Sequence, residues 1–187
     1  PIAHPERMSD IRKRWVELVM AGSRYKRGAK GQSKREDFRG TYKRFGGFAG
    51  KNFQQADFEE FGIGTSKHKL TVRPCHGCPY ACPVDLELIS GPHKGLIVTI
   101  SGGAEGPEGA GAILGIANPE HWLYILDLYD RLGVEASVAG CTMAMAIEAY
   151  EKGLLTSKDT DGLELKWGDA EVVEKMLRKM AFREGFG

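Results

Sequence analysis

N-P-E-H-W-L-Y-I-L-D-L-Y-D-R-L-G, residues Asn118–Gly133, decides the fold class of this 187-residue chain. Asn118 is a good N-cap, and Pro119 suits the first helical position, where its missing N–H costs nothing. Trp122, Ile125, Leu126, Tyr129 and Leu132 then recur at helical spacing, and Gly133 supplies the left-handed stop. The next segment, about Ser137 to Lys152, is apolar on nearly every face around Cys141–Ile147. It should therefore be buried in something larger, with Gly153 ending it. A further helix is expected over Asp169–Arg183, with Val173, Met176, Leu177 and Met180 on one side. An opening helix is expected over Asp10–Met20, capped by Ser9 or Asp10, with Ile11, Trp15, Leu18 and Val19 in one stripe. The chain reads as mainly α.

Upstream of that helical block the signal changes. Leu86–Ile89 and Leu96–Ile100 are short β-prone runs around a Gly91–Gly95 turn, which predicts a small hairpin. Between it and Asn118 lies S-G-G-A-E-G-P-E-G-A-G, Ser101–Gly111, read as a glycine-rich loop. Such a loop lets a backbone approach a ligand closely, and its carboxylates, Glu105 and Glu108, are candidates for acid–base work or plain turn acids. It lacks the phosphate-binding and dinucleotide-binding glycine patterns. Residues 45–64, rich in Phe and Gly, read as turns leading to C-H-G-C-P-Y-A-C.

Those cysteines, Cys75, Cys78 and Cys82, are spaced C-x2-C-x3-C. Thiolates so close together on an irregular loop can converge on one metal centre. A [4Fe–4S] cluster fits the spacing. A structural zinc completed by His76, His68 or His93 is the alternative, with His76 badly placed beside Cys75. Three cysteines in eight residues suit a metal in a reducing compartment rather than a disulfide framework, so the expected location is cytoplasmic. The D-R-L-G-V-E turn, Asp130–Glu135, carries carboxylates that can meet a polar cofactor ring or cap the following helix.

Composition narrows the class. Apolar content of 42% and charged content of 27% are those of a globular protein, and no apolar run approaches the ~20 residues that span a bilayer. The basic stretch from Arg24 to Arg35 is interleaved with Tyr25 and Phe38, but Glu36, Asp37 and a net charge of +1 favour a solvated linker over a nucleic-acid surface. The start at Pro1 and the end at Gly187, just after a helix, read as the cut ends of a longer polypeptide.

Taken in order, Lys51-Asn52-Phe53, the cysteine motif, the Glu/Gly loop, Asp130–Glu135, Ala144–Leu155, Asp159–Leu165, Trp167–Glu171 and Ala181–Gly187 resemble the tungsten- and molybdenum-dependent aldehyde ferredoxin oxidoreductase family, over roughly residues 44–187. The resemblance implies the helical middle domain of a three-domain enzyme, with a small β-hairpin near the cysteine loop. Residues 1–44 would be a helix and basic linker continuing from a preceding domain, and residues 45–187 an iron–sulfur and pterin-binding domain. By that match Cys75, Cys78 and Cys82 bind a [4Fe–4S] cluster whose fourth ligand comes from a later domain. Cys141 is then a buried helix residue and not a ligand. Asp130, Gly133, Val134 and Glu135 match the family's D-x-x-G-L-[DC] motif for a tungsten or molybdenum bis-pterin, with Glu lengthening the last carboxylate. Asp159–Leu163 spells a similar string but is read as a separate surface segment.

Counting back from Glu135 places the family's metal-side glutamate on Glu105, the preferred register because Gly111, Gly115 and Glu120 then also fall into line, and a shifted alignment places it on Glu108. The altered residues ahead of it imply a substrate other than a simple aldehyde. The default activity the resemblance implies is oxidation of an aldehyde to a carboxylic acid, with ferredoxin or another carrier protein taking the electrons, in an oligomer or larger complex. A benzoyl-CoA-reductase-like tungsten subunit is the second reading, and a zinc-stabilised nucleic-acid module is a reading from another class.

Overall fold

The computed structural model describes residues 2–21, 48–61, 67–73, 75–76, 83–100 and 105–187. Helix α1 spans Pro5–Ala21. It starts upstream of the expected cap, because Pro5 presets the helical φ of a first turn that also carries Glu6. Ser9 and Asp10 therefore lie inside the helix. Among the described residues nothing covers its apolar stripe: α1 contains no buried residue, and Ile11, Trp15 and Leu18 are exposed.

Strands β1 (Lys69–Val72), β2 (Val84–Glu87) and β3 (Ile97–Ile100) form an antiparallel sheet in that order. Val84 stands opposite both Val72 and Ile100. The expected hairpin is β2–β3, and β1 is an addition to it. Alternation along the strands buries Val84, Leu86, Val98 and Ile100 on one face. On the other face Asp85 accepts a hydrogen bond from Thr99 Oγ1 at 2.7 Å and pairs with Arg73 at 3.3 Å.

Helix α2 (Glu105–Ala110) and a 3-10 turn (Ala112–Leu114) follow, so the part of the glycine-rich segment that is described is helical rather than a loop. Helix α3 (Pro119–Leu132) begins as expected: Asn118 accepts from the Glu120 N–H at 2.9 Å. It ends at Gly133, whose φ of +67° is the left-handed geometry that favours glycine. Helix α4 (Ala136–Glu151) buries Ala139, Gly140, Met143, Ala144 and Ile147. Its opposite side, Val138, Cys141, Thr142 and Met145, is exposed, so the helix is half covered rather than enclosed. Helix α5 (Ala170–Phe182) is capped by Asp169 and seats Val173, Met176 and Leu177 in the core.

One apolar core joins these parts. Phe61 lies 5.8 Å from Trp122 and 5.4 Å from Phe48, which ties the Phe-rich turns to α3. Within those turns Lys51, Asn52 and Phe53 all have positive φ. Each such residue costs on the order of 1–3 kcal/mol unless its surroundings hold it. The first two are held: the Lys51 and Asn52 N–H groups donate to Ala112 and Ile113 carbonyls at 3.2 and 3.0 Å and Asn52 Nδ2 donates to Glu148, with Gln54 Nε2 donating to Glu151 at 3.0 Å just beyond. The K-N-F turn braces the 3-10 turn against α4. No single helix of the described residues is long and apolar enough to cross a membrane, and α3 and α4 bend by 116° at their junction.

Candidate functional site

The cysteine motif is the connection between β1 and β2. Antiparallel pairing closes that loop at its base, where the Arg73 N–H donates to the Pro83 carbonyl at 3.1 Å. Cys75 is free and exposed. Cys78 and Cys82 lie outside the described residues, as do Ser101–Ala104 and the basic stretch from Arg24 to Arg35. Two histidines of the zinc alternative are occupied: His93 stacks on Tyr124 with centroids 3.7 Å apart, and His68 is buried with Nδ1 3.5 Å from the Ile89 N–H.

Helix α2 is held against α4 by glycine on glycine. A Cβ on Gly140 would lie 2.3 Å from the Gly109 carbonyl oxygen, and one on Gly109 would lie 2.4 Å from the Ala136 carbonyl oxygen. Only bare backbones cross this closely. The buried Tyr129 hydroxyl adds a hydrogen bond of 3.0 Å to the same Gly109 carbonyl. Burial, reinforced by the charges of Cys141 and Glu135, pushes the Tyr129 hydroxyl far above its ordinary range, so it stays a donor.

The two carboxylates of α2 differ. Glu105 is exposed, while Glu108 is half-buried. Burial, with a smaller contribution from Glu105, raises the Glu108 pKa above its ordinary value of 4.5. Of the two candidate carboxylates, the more buried is therefore Glu108 and not the preferred Glu105. Cys141 is exposed, contrary to the buried position expected, because it points from the uncovered side of α4. Partial desolvation and the nearby carboxylates of Glu108 and Glu135 push its thiol pKa up.

The Asp130–Glu135 turn presents acceptors. The N–H groups of Gly133 and Val134 are spent inside the turn, on the Asp130 carbonyl at 3.2 Å and the Tyr129 carbonyl at 2.9 Å. Glu135 caps α4: its carboxylate accepts from Ser137 N at 3.0 Å and Val138 N at 2.7 Å, which lowers its pKa. The exposed Asp130 carboxylate and the Gly133 and Val134 carbonyls remain available among the described residues. An acceptor-only edge suits a heterocycle that offers ring N–H and amino donors, as a pterin does. Asp161 of the second D-x-x-G-L string is instead tied to the Phe186 N–H at 2.6 Å and to Lys179 at 3.0 Å, on the surface as expected.

Two concavities of the described residues lie elsewhere. One of about 440 Å³ runs between α4 and α5 beside Met145, Met176 and Met180, and the other, about 520 Å³, lies beside His93, Tyr124 and Arg178. The α2 carboxylates and the acceptor turn sit outside both.

Comparison with known proteins gives this arrangement a family. The family model described as aldehyde ferredoxin oxidoreductase, domains 2 and 3, matches residues 37–187. This chain belongs to the aldehyde ferredoxin oxidoreductase family. It is 33% identical over 148 residues to the aliphatic sulfonate oxidoreductase, WOR-like subunit, of Pyrococcus furiosus, covering 73% of this chain and 22% of that protein. Tungsten-containing aldehyde ferredoxin oxidoreductases of Pyrococcus furiosus and Thermococcus kodakarensis are each 32% identical over 148 residues, covering 73% of this chain and 23% of theirs. The matched segment is thus less than a quarter of the length of these relatives.

Within the family frame, the fold brings Glu108, Glu135, Cys141 and Tyr129 into one neighbourhood next to Asp130. Sequence reasoning placed Tyr129 only in an apolar stripe and gave Gly109 and Gly140 no role. A tyrosine on a buried stripe carries a hydroxyl that must find an acceptor, and that was the available signal.

Proposed function

We propose that this chain is the iron–sulfur and pterin-binding middle domain of a tungsten-dependent oxidoreductase that oxidises an aldehyde to a carboxylic acid and passes the electrons to ferredoxin. The observation that carries the reading is the packing of the Glu108 helix against the segment that follows the acceptor turn Asp130–Glu135. A bis-pterin tungsten centre, when bound, accepts two electrons, and a [4Fe–4S] cluster relays them singly. Asp130 and the Gly133 and Val134 carbonyls would hold the pterin ring through its N–H donors. Cys75, Cys78 and Cys82 would hold the cluster on the closed β1–β2 connection, with a fourth ligand from outside residues 1–187.

Oxidising a hydrated aldehyde to an acid releases two electrons and two protons. Glu108 is the residue we assign to take a proton, because its half-burial shifts its pKa toward working pH, where a general base is most effective. Glu105, exposed on the same short helix, adds negative charge that keeps the Glu108 pKa raised. The similarity to an aliphatic sulfonate oxidoreductase subunit supports a second reading, in which the substrate is an organosulfonate and the chain works within a larger complex.

The test uses the full-length polypeptide purified without oxygen. Asp130→Ala should lose tungsten while retaining iron, and Cys75→Ser should lose iron. Aldehyde-dependent reduction of ferredoxin is expected in the parent protein. Retention of full tungsten in Asp130→Ala would remove the acceptor turn from the cofactor site, and activity on sulfonates alone would select the second reading.

A further inference from the structure

Tyr129 touches both halves of the candidate site through different atoms. Its carbonyl oxygen accepts the Val134 N–H at 2.9 Å and so closes the Asp130–Glu135 turn. Its hydroxyl, at the other end of a buried ring, donates to the Gly109 carbonyl at 3.0 Å, one residue from Glu108. The bond runs to the same carbonyl oxygen that a Cβ on Gly140 would meet, so the tyrosine and the glycine crossing converge on one peptide. We infer that Tyr129 is a positioning residue that fixes the carboxylate helix α2 to the cofactor-facing turn and so sets the environment of Glu108.

This rests on the reading of Glu108 as the proton-handling carboxylate. The charged and titratable groups around it are Glu105 on its own helix, Cys141 on α4, and Glu135 at the α4 cap, which shares the Cys141 neighbourhood. Releasing the Gly109 carbonyl lets α2 move outward. Glu108 then gains water and leaves Cys141. Better hydration favours a carboxylate, and loss of a neighbouring negative charge favours a thiolate. Both consequences can be read, and the second needs neither substrate nor turnover.

The experiment compares the full-length protein with Tyr129→Phe, a change that keeps the ring and removes the hydroxyl. Alkylation of Cys141 by iodoacetamide is followed across pH on its own peptide by mass spectrometry. Near neutral pH the rate should rise about threefold as the thiolate fraction grows, while the plateau at high pH, where the thiol is fully ionised in both proteins, is unchanged. Gly140→Ala, which places a Cβ against the same carbonyl oxygen and drives α2 off α4, should give the same shift. The acid limb of the pH–rate profile should also move to lower pH in Tyr129→Phe, with tungsten and iron contents retained. A lowered melting temperature with an unchanged alkylation profile in both variants would reduce Tyr129 to a packing residue and overturn the inference. A shifted alkylation profile together with an unmoved acid limb would leave the positioning intact and sink the assignment of Glu108.

Discussion

Helix α1 carries a clear apolar stripe and α4 is apolar nearly all round, yet among the described residues only α4 has something to pack on. In α4, Ala139, Gly140, Met143, Ala144 and Ile147 are buried, and the Gly140 backbone meets Gly109 directly. In α1, Ile11, Trp15 and Leu18 repeat at equally good helical spacing, yet none of its residues is buried. Periodicity states which face a helix can bury. It does not supply the partner, and burial, not pattern, yields the stabilisation.

Tryptophan truncation breaks this comparison hardest. Trp122→Ala removes a fully buried ring that touches Phe61, and should cost about 3–5 kcal/mol, read as a lower denaturation midpoint. Trp15→Ala on α1 should change that midpoint by no more than about 0.5 kcal/mol. A large loss from Trp15 would show that α1 has a partner and that the contrast is false.

The glycine crossing comes next. Gly140→Val places side-chain atoms where the Gly109 carbonyl oxygen stands, and overpacking of this kind should cost about 3 kcal/mol. Near-normal stability in Gly140→Val would mean that α2 can leave α4 freely.

The smallest effect concerns the α4 cap and depends on pH. Hydrogen bonds from Val138 and Ser137 lower the pKa of Glu135 from its ordinary 4.5. The folded state therefore favours the charged form. Its stabilisation is present above the unfolded pKa and is lost as pH falls through the folded one. The midpoint difference between the parent protein and Glu135→Gln should be visible at neutral pH and vanish in acid. A difference that grows in acid would contradict the cap.

The uneven legibility of the sequence has the same root. Helix α3 could be read in full because its cap, first-turn proline, apolar period and glycine stop are all local. Helix α2 was hidden by Gly106, Pro107 and Gly109, which argue against a helix by propensity. Gly109 is what lets it lie on α4, and Gly106 lies against Leu126 of α3, so the packing that overrides the propensity is encoded in residues that disguise the element. Strand β1 is four residues long and exists by pairing with β2 across the cysteine connection, a relation that a local pattern does not carry. Cys141 looked buried because α4 is apolar all round, and nothing in its composition marks Val138, Cys141, Thr142 and Met145 as the uncovered side. For the candidate site, the cysteine spacing and the Asp130–Glu135 turn stand out as local patterns, whereas the difference in burial between Glu105 and Glu108 depends on which carboxylate the helix turns inward.

That choice is where the account is most directly exposed. Turnover of the full-length enzyme should be measured for Glu108→Gln and Glu105→Gln in parallel, with tungsten and iron assayed in each. Glu108→Gln is predicted to lose about 10²-fold or more in turnover with both metals retained, since it keeps the shape and removes the proton acceptor. Glu105→Gln is predicted to lose far less. Near-normal turnover in Glu108→Gln, with collapse in Glu105→Gln, would contradict the assignment.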